Sequence, residues 1–171
     1  MRLLQNQPWP DLFRRAERSA FHLEVRDTYA VPDELEPFRR FLAGEPPTAD
    51  NGFSESWGSL MRESTGRGVM VSRVRVVTVP LSDYQRWVLS VTDMNAEVGE
   101  NIRYLPRHLA DHVPQDDFWL FDDETVGFNL VDGEGKPAGA AVTTDAGIAA
   151  HCRQVKEQLW GLAVPFADFR P

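Results

Sequence analysis

The chain has 171 residues, with 26 Asp and Glu against 18 Lys and Arg for a net charge of −8, one cysteine and 42% apolar residues. That length and composition suit one soluble globular domain whose core needs no disulfide or structural metal, and the lone Cys152 fits a reducing cytoplasm. No run approaches the ~18 apolar residues of a membrane span, Met1 to Pro10 lack the layout of a signal peptide, and the acidic balance argues against direct nucleic-acid contact.

Pro10-Asp11 opens a predicted helix, with Leu12, Phe13, Ala16 and Ala20 at helical spacing. Phe21 to Arg26 alternates apolar and polar residues, as a strand does. Asp33 to Ala43 is a short helix closed by Gly44, Glu45 to Asn51 a loop, and Ser54 to Thr65 a helix stopped by Gly66 and Gly68. Val69 to Val79 is the clearest strand: six of its eleven residues are valine, and Arg73 and Arg75 share one face. Pro80 ends it and Ser82 caps a helix that runs to about Val98 on Tyr84, Trp87, Val88, Val91 and Met94. Three short strands follow, at Ile102–Leu105, Asp117–Asp122 and Thr125–Val131. Gly133-Glu134-Gly135 then turns into a strand from about Ala138 to Thr143. Asp145 caps a last helix presenting Ile148, Ala149, Cys152, Val155, Leu159 and Trp160. The core spans about residues 11–164, with an irregular tail at 165–171. The pattern is that of an α/β domain, a mixed β-sheet flanked by helices.

Charge is unevenly spread. From Asp111 to Glu134 there are eight acidic residues and no Lys or Arg, so the remaining chain sums to zero. A guanidinium on a covered sheet needs an anion, because an unpaired buried charge is too costly. Arg73 and Arg75 therefore pair either with carboxylates, for which the acidic segment is the obvious source, or with a ligand anion. His22, Glu24 and Arg26 project from one strand face, either as solvated or mutually paired side chains or as the wall of a pocket.

Other signals read as structure. His108 and His112 could face one metal only if helical, and no third ligand is identifiable. The acidic run lacks calcium-loop spacing and reads as a guard on an edge strand. Gly133-Glu134-Gly135 carries no phosphate-loop or dinucleotide pattern. There is no GxSxG elbow, and Cys152 lies on an apolar helix face. The five tryptophans sit mostly at core spacings, with an aromatic cage as the alternative.

Several stretches together carry a resemblance: Ser19-Ala20-Phe21-His22-Leu23-Glu24-Val25-Arg26-Asp27-Thr28-Tyr29, the strand Arg73-Val74-Arg75-Val76-Val77 leading to Pro80-Leu81-Ser82-Asp83-Tyr84, Asn95 with Gly99-Glu100-Asn101-Ile102-Arg103, and Asp117-Phe118-Trp119-Leu120-Phe121-Asp122. From about Phe13 to Phe169 the chain resembles an uncharacterised actinobacterial family of small proteins carrying one domain of unknown function. Members are commonly encoded beside helix-turn-helix regulators and small companion proteins, so the resemblance implies a regulatory setting. The layout is also similar to a phospholipase-D-like half-domain. Such enzymes use HxKxxxxD, in which histidine attacks phosphorus and lysine holds the phosphate. The comparable stretch here, Asp116 to Asp122, has neither His nor Lys, which implies a non-catalytic version of that fold.

Two functional expectations follow. One is a cytoplasmic, non-enzymatic binding module for a small effector or a partner, either a helix-turn-helix regulator or a small companion protein, with no cofactor, no metal and no membrane contact. Its candidate lining is His22, Glu24, Arg26, Arg73, Arg75, Asn95, Glu100, Arg103, Asp117, Trp119 and Asp122. The alternative is a small-molecule enzyme, such as a hydrolase, using His22 and Glu24 as an acid–base pair and Arg73 or Arg75 at an oxyanion. That alternative requires His22 to meet an arginine and a carboxylate in one cleft.

Overall fold

The computed structural model describes residues 1–5, 8–46 and 55–171. Positions 47–51 of the predicted loop, and the predicted helix start at Ser54, lie outside the described residues. In chain order the elements are β1 (Arg2–Leu4), α1 (Trp9–Arg15), β2 (Ser19–Glu24), α2 (Leu35–Leu42), α3 (Glu55–Gly66), β3 (Met70–Val77), α4 (Asp83–Ser90), α5 (Thr92–Glu97), β4 (Asn101–Pro106), β5 (Phe118–Phe121), β6 (Thr125–Val131), β7 (Pro137–Thr143), α6 (Ala146–Leu162) and β8 (Val164–Pro165).

Eight strands form one mixed sheet in the order β1-β7-β6-β5-β2-β3-β4-β8. β2, β3 and β4 run parallel, and every other pair is antiparallel. The two-residue period of the strands divides the core between the two faces. Phe21, Leu23, Val74, Val76, Phe118 and Leu120 meet Ala149, Cys152, Val155 and Leu159 of α6 on one side. Ala20, Val71 and Phe121 meet Phe13 of α1 and Leu60 and Met61 of α3 on the other. Asp145 starts α6 by accepting the Gly147 and Ile148 N–H groups, as its position in the sequence predicts.

Four departures from the sequence reading have physical causes. The first helix stops at Arg15 and Ala20 belongs to β2. The Asp122 carboxylate accepts the N–H groups of Glu17, Arg18 and Ser19 at 2.9, 2.7 and 2.9 Å, which satisfies the chain where it leaves the helix. The predicted helix to Val98 breaks into α4 and α5 at Val91, where the buried Thr92 hydroxyl bonds the Val88 carbonyl and receives Arg75. The acidic run does not guard an edge, because β5 lies between β6 and β2 in the middle of the sheet. Its Asp122-Asp123 pair makes a tight hairpin turn at φ 54° and 61°. Finally, the tail is ordered: β8 pairs with β4, and Phe169 stacks on Tyr104 with ring centroids 4.8 Å apart.

β1 carries no periodic signal and is positioned by β7. Gly139 sits at φ 109°, and a Cβ there would come within 2.1 Å of the Leu4 carbonyl oxygen. Gly139→Ala is therefore expected to release β1, at a cost of about 1–3 kcal/mol from backbone strain and overlap. Hydrogen exchange checks this: the β1 and outer β7 amides lose protection while β2 and β3 keep theirs.

Candidate functional site

Register builds the site. On β2 and β3, His22 lies opposite Arg73 and Glu24 opposite Arg75, and on β5 Trp119 lies opposite His22. All five side chains belong to the sheet face turned away from α6, beyond the apolar patch under α1 and α3. They stand toward the carboxyl ends of the parallel strands β2 and β3, where open α/β sheets bind ligands.

Both arginines are buried, at 7% and 6% exposure, and both are paired. Arg73 donates Nη1 to Glu24 at 2.5 Å, and Nε and Nη2 to Glu100 at 3.1 and 2.8 Å. Arg75 donates Nε to Glu24 at 2.6 Å and Nη1 to the Thr92 and Tyr104 hydroxyls at 2.8 and 3.0 Å. The second oxygen of Glu100 accepts from Trp57 Nε1 at 3.0 Å and Asn95 Nδ2 at 2.9 Å. The carboxylate answer to the buried arginines holds, but the partners come from β2 and the start of β4 rather than from the acidic segment.

Burial alone would raise the Glu24 pKa, yet Arg73 and Arg75 beside it hold its carboxyl well below the usual range. His22 stacks on Trp119 with centroids 4.1 Å apart and planes 8° apart, and its Nδ1 lies 3.3 Å from Glu24. Burial lowers its pKa, with Glu24 opposing, so the ring is neutral at physiological pH. The ionised Glu24 favours the tautomer with its proton on Nδ1, leaving Nε2 as a lone-pair acceptor. Nε2 is buried without a partner.

A cavity of about 790 Å³ opens above this cluster. Trp9, Trp57 and Trp119 bound one side; Tyr84, Trp87 and Val88 of α4 bound another. The segment after β2, from Tyr29 to Glu34, and the end of the β6–β7 hairpin close it further. Glu34 accepts the Tyr84 hydroxyl at 2.5 Å, tying that segment to α4. Asp117, at the head of β5, accepts the Val25 N–H at 2.7 Å, and burial raises its pKa to about 6 against that hydrogen bond and the Tyr29 hydroxyl. Burial likewise raises Glu34, with Tyr84 opposing.

His22, Glu24, Arg73, Arg75, Asn95, Asp117 and Trp119 therefore converge on the cavity, and Glu100 supports it from behind Arg73. Three expected residues do not. Arg26 lies past the end of β2, where its hydrogen bonds are made by the backbone: its carbonyl accepts Gln85 Nε2 at 2.9 Å. Arg103 has the opposite parity on β4, stacks over Trp160 at 4.2 Å and bonds the Trp160 carbonyl at the end of α6. Asp122 caps the chain before β2, as described. His108 occupies a short 3-10 turn and His112 the loop beyond it, so their helical spacing is not realised. Sequence reasoning missed Tyr29, Glu34, Gln85 and Asn129. Tyr29 stood at the end of the first resemblance stretch and Glu34 inside the predicted helix from Asp33, neither marked as lining; Gln85 left a trace as a polar residue three positions before Val88 in the apolar pattern of α4, and it is 2% exposed.

Residues 7–171 match the model of a family described as Domain of unknown function (DUF6879). No curated protein matches the sequence. Among solved structures, Nuc from Salmonella typhimurium, a phospholipase D family member, is 12% identical with a TM-score of 0.54, over 95% of this chain and 88% of that one. TrmBL2, described as an archaeal chromatin protein with a novel mode of DNA binding, is 15% identical with a TM-score of 0.51, over 95% of this chain. The chain spans about half, 52%, of the length of that protein. The phospholipase-D-like fold expected from the layout is thus the fold observed. The second likeness corrects the expectation of no direct nucleic-acid contact, because a DNA-binding chromatin protein shares this architecture. Net charge is the wrong criterion there: association follows the local surface field, which a total of −8 does not specify. Among the described residues, no helix is long and apolar enough to cross a membrane.

Proposed function

The chain belongs to the DUF6879 family, and from that premise we propose that it is a non-enzymatic, cytoplasmic binding module for a small effector, acting in a regulatory setting beside a transcriptional regulator. The observation that carries this reading is the cavity of about 790 Å³ over a buried cluster whose arginines are already neutralised by Glu24 and Glu100. A volume of that size suits a drug-sized molecule, and aromatic walls with a few placed polar groups are what such sites use. An internally paired charge cluster holds its geometry without a ligand, which preorganises the floor.

The enzyme reading keeps one observation in its favour: His22 does meet Glu24 and Arg73 in one cleft. Against it, the described residues lining the cavity include no Ser, Thr or Cys, and all three Arg73 nitrogens already donate to Glu24 or Glu100.

Native mass spectrometry on protein gently purified from its own cells tests the effector site. Leu130→Trp, at the half-buried hairpin wall, fills the cavity without touching the charge cluster. The expected result is a discrete small-mass adduct on the wild type that the variant lacks while its circular dichroism is unchanged. Conversion of the isolated adduct by the wild type but not by His22→Gln favours the enzyme. A protein free of adduct in both forms overturns the effector site.

A further inference from the structure

Four buried polar atoms among the described residues at the cavity wall have no hydrogen-bond partner: both ring nitrogens of His22, Gln85 Oε1 and Asn129 Oδ1. The two amide oxygens are acceptors, and so is His22 Nε2 in the tautomer that the ionised Glu24, 3.3 Å from Nδ1, favours. Gln85 uses its amide nitrogen on the Arg26 carbonyl. His22 and Gln85 are more than nine-tenths buried. An acceptor left unpaired in a buried site is costly, and only a donor relieves it.

The charges of the lining point the same way. Five carboxylates, Glu24, Asp33, Glu34, Asp117 and Asp132, face three cations, Arg73, Arg75 and Lys136. The cations are engaged already: Arg73 and Arg75 by Glu24 and Glu100, Lys136 by Glu134 at 2.6 Å. Asp117 and Glu34 have only hydroxyl or backbone N–H donors, and neither is ion-paired with a cation. Tyr29, Trp57, Tyr84 and Trp87 add aromatic faces, which attract cations and repel anions.

Resting on the effector reading, we propose that the ligand is an organic cation: a small molecule that carries an ammonium, amidinium or guanidinium group on a flat apolar body, received by Asp117, Glu34 and the orphan acceptors. A phosphate, the ligand suggested by a pair of arginines on this fold, meets the wrong partners. Its oxygens need donors, and the cavity offers acceptors and carboxylates.

Calorimetry on the full chain with benzamidine and phenethylamine as cationic probes, benzamide as the neutral isostere, and phenyl phosphate and inorganic phosphate as anions tests this. The cations are expected to bind, benzamide to bind about tenfold more weakly or worse, and Asp117→Asn to remove the difference between benzamidine and benzamide. Leu130→Trp should abolish binding of both cations. Phenyl phosphate binding that Leu130→Trp abolishes, with the cations silent, overturns the ligand class but leaves the effector site standing. No binding by any probe at millimolar concentration, together with an adduct-free native protein, overturns both.

Discussion

Glutamine in place of Glu24 is expected to lower the unfolding free energy by about 3–5 kcal/mol at neutral pH, the usual result of removing one partner from a buried ion pair. The carboxylate sits between two guanidiniums, with Arg73 Nη1 at 2.5 Å and Arg75 Nε at 2.6 Å. The amide keeps the shape but turns an N–H toward one of two buried cations, leaving that contact repulsive. The pH dependence separates this from a packing defect. The Glu24 pKa in the folded state is depressed, so its contribution is complete above the unfolded carboxylate value of ~4.3 and fades as pH falls through the folded value. Urea titrations should therefore show a large gap between wild type and Glu24→Gln at neutral pH that narrows progressively in acid. A gap that is constant with pH, or smaller than about 1 kcal/mol, means that the arginines find other partners.

This cluster also shows where the sequence was readable and where it was not. Alternation identified the faces of β2 and β3, and the Val-rich run with two arginines signalled a buried charge that had to be answered. The answering residue was already named, but not as the partner: Glu24 reaches Arg75 only through the parallel register of β2 on β3, a pairing separated by 51 positions in the chain. Local pattern says that a strand exists and which side is apolar; it does not say which strand lies beside it. The acidic segment looked like the better counterion because it is the larger charge, yet its Asp122 serves backbone N–H groups and its Asp123 receives Lys156. Arg103 was misassigned for the same reason as Arg26. Each belongs to a motif by sequence, while strand parity on β4 and the end of β2 at Glu24 send them elsewhere. The segment from Tyr29 to Pro32 had no periodic signal, and Glu34 fell at the start of the predicted helix, where the chain makes a short 3-10 turn before α2. It becomes a cavity wall because the crossover after β2 must pass over the carboxyl ends of the strands on its way to the next layer.

Asp117→Asn is expected to act in the opposite direction to Glu24→Gln, stabilising the fold at neutral pH. Burial raises the Asp117 pKa from 3.8 to about 6, opposed by the Val25 N–H and the Tyr29 hydroxyl, with Glu24 adding to the rise and Arg26 reducing it. A folded-state pKa above the unfolded one means that the native protein holds the proton more tightly. Stability therefore falls as pH rises from about 4 to about 6, and the penalty is complete above that window. A shift of that size corresponds to about 3 kcal/mol at most. Asparagine removes the charge and keeps an oxygen for the Val25 N–H, which Asp117 holds at 2.7 Å. The variant should melt several degrees higher than wild type at neutral pH and equal it near pH ~4. A lower melting temperature at neutral pH would make Asp117 a structural residue and remove it from the site. The two carboxylates then divide the cavity between them. Glu24 is held ionised by the protein's own cations and stabilises the fold whether or not the cavity is filled. Asp117 is ionised at neutral pH without an ion-paired cation, so its charge lowers the stability of the fold. On the proposed reading, the group that completes it is the cationic ligand.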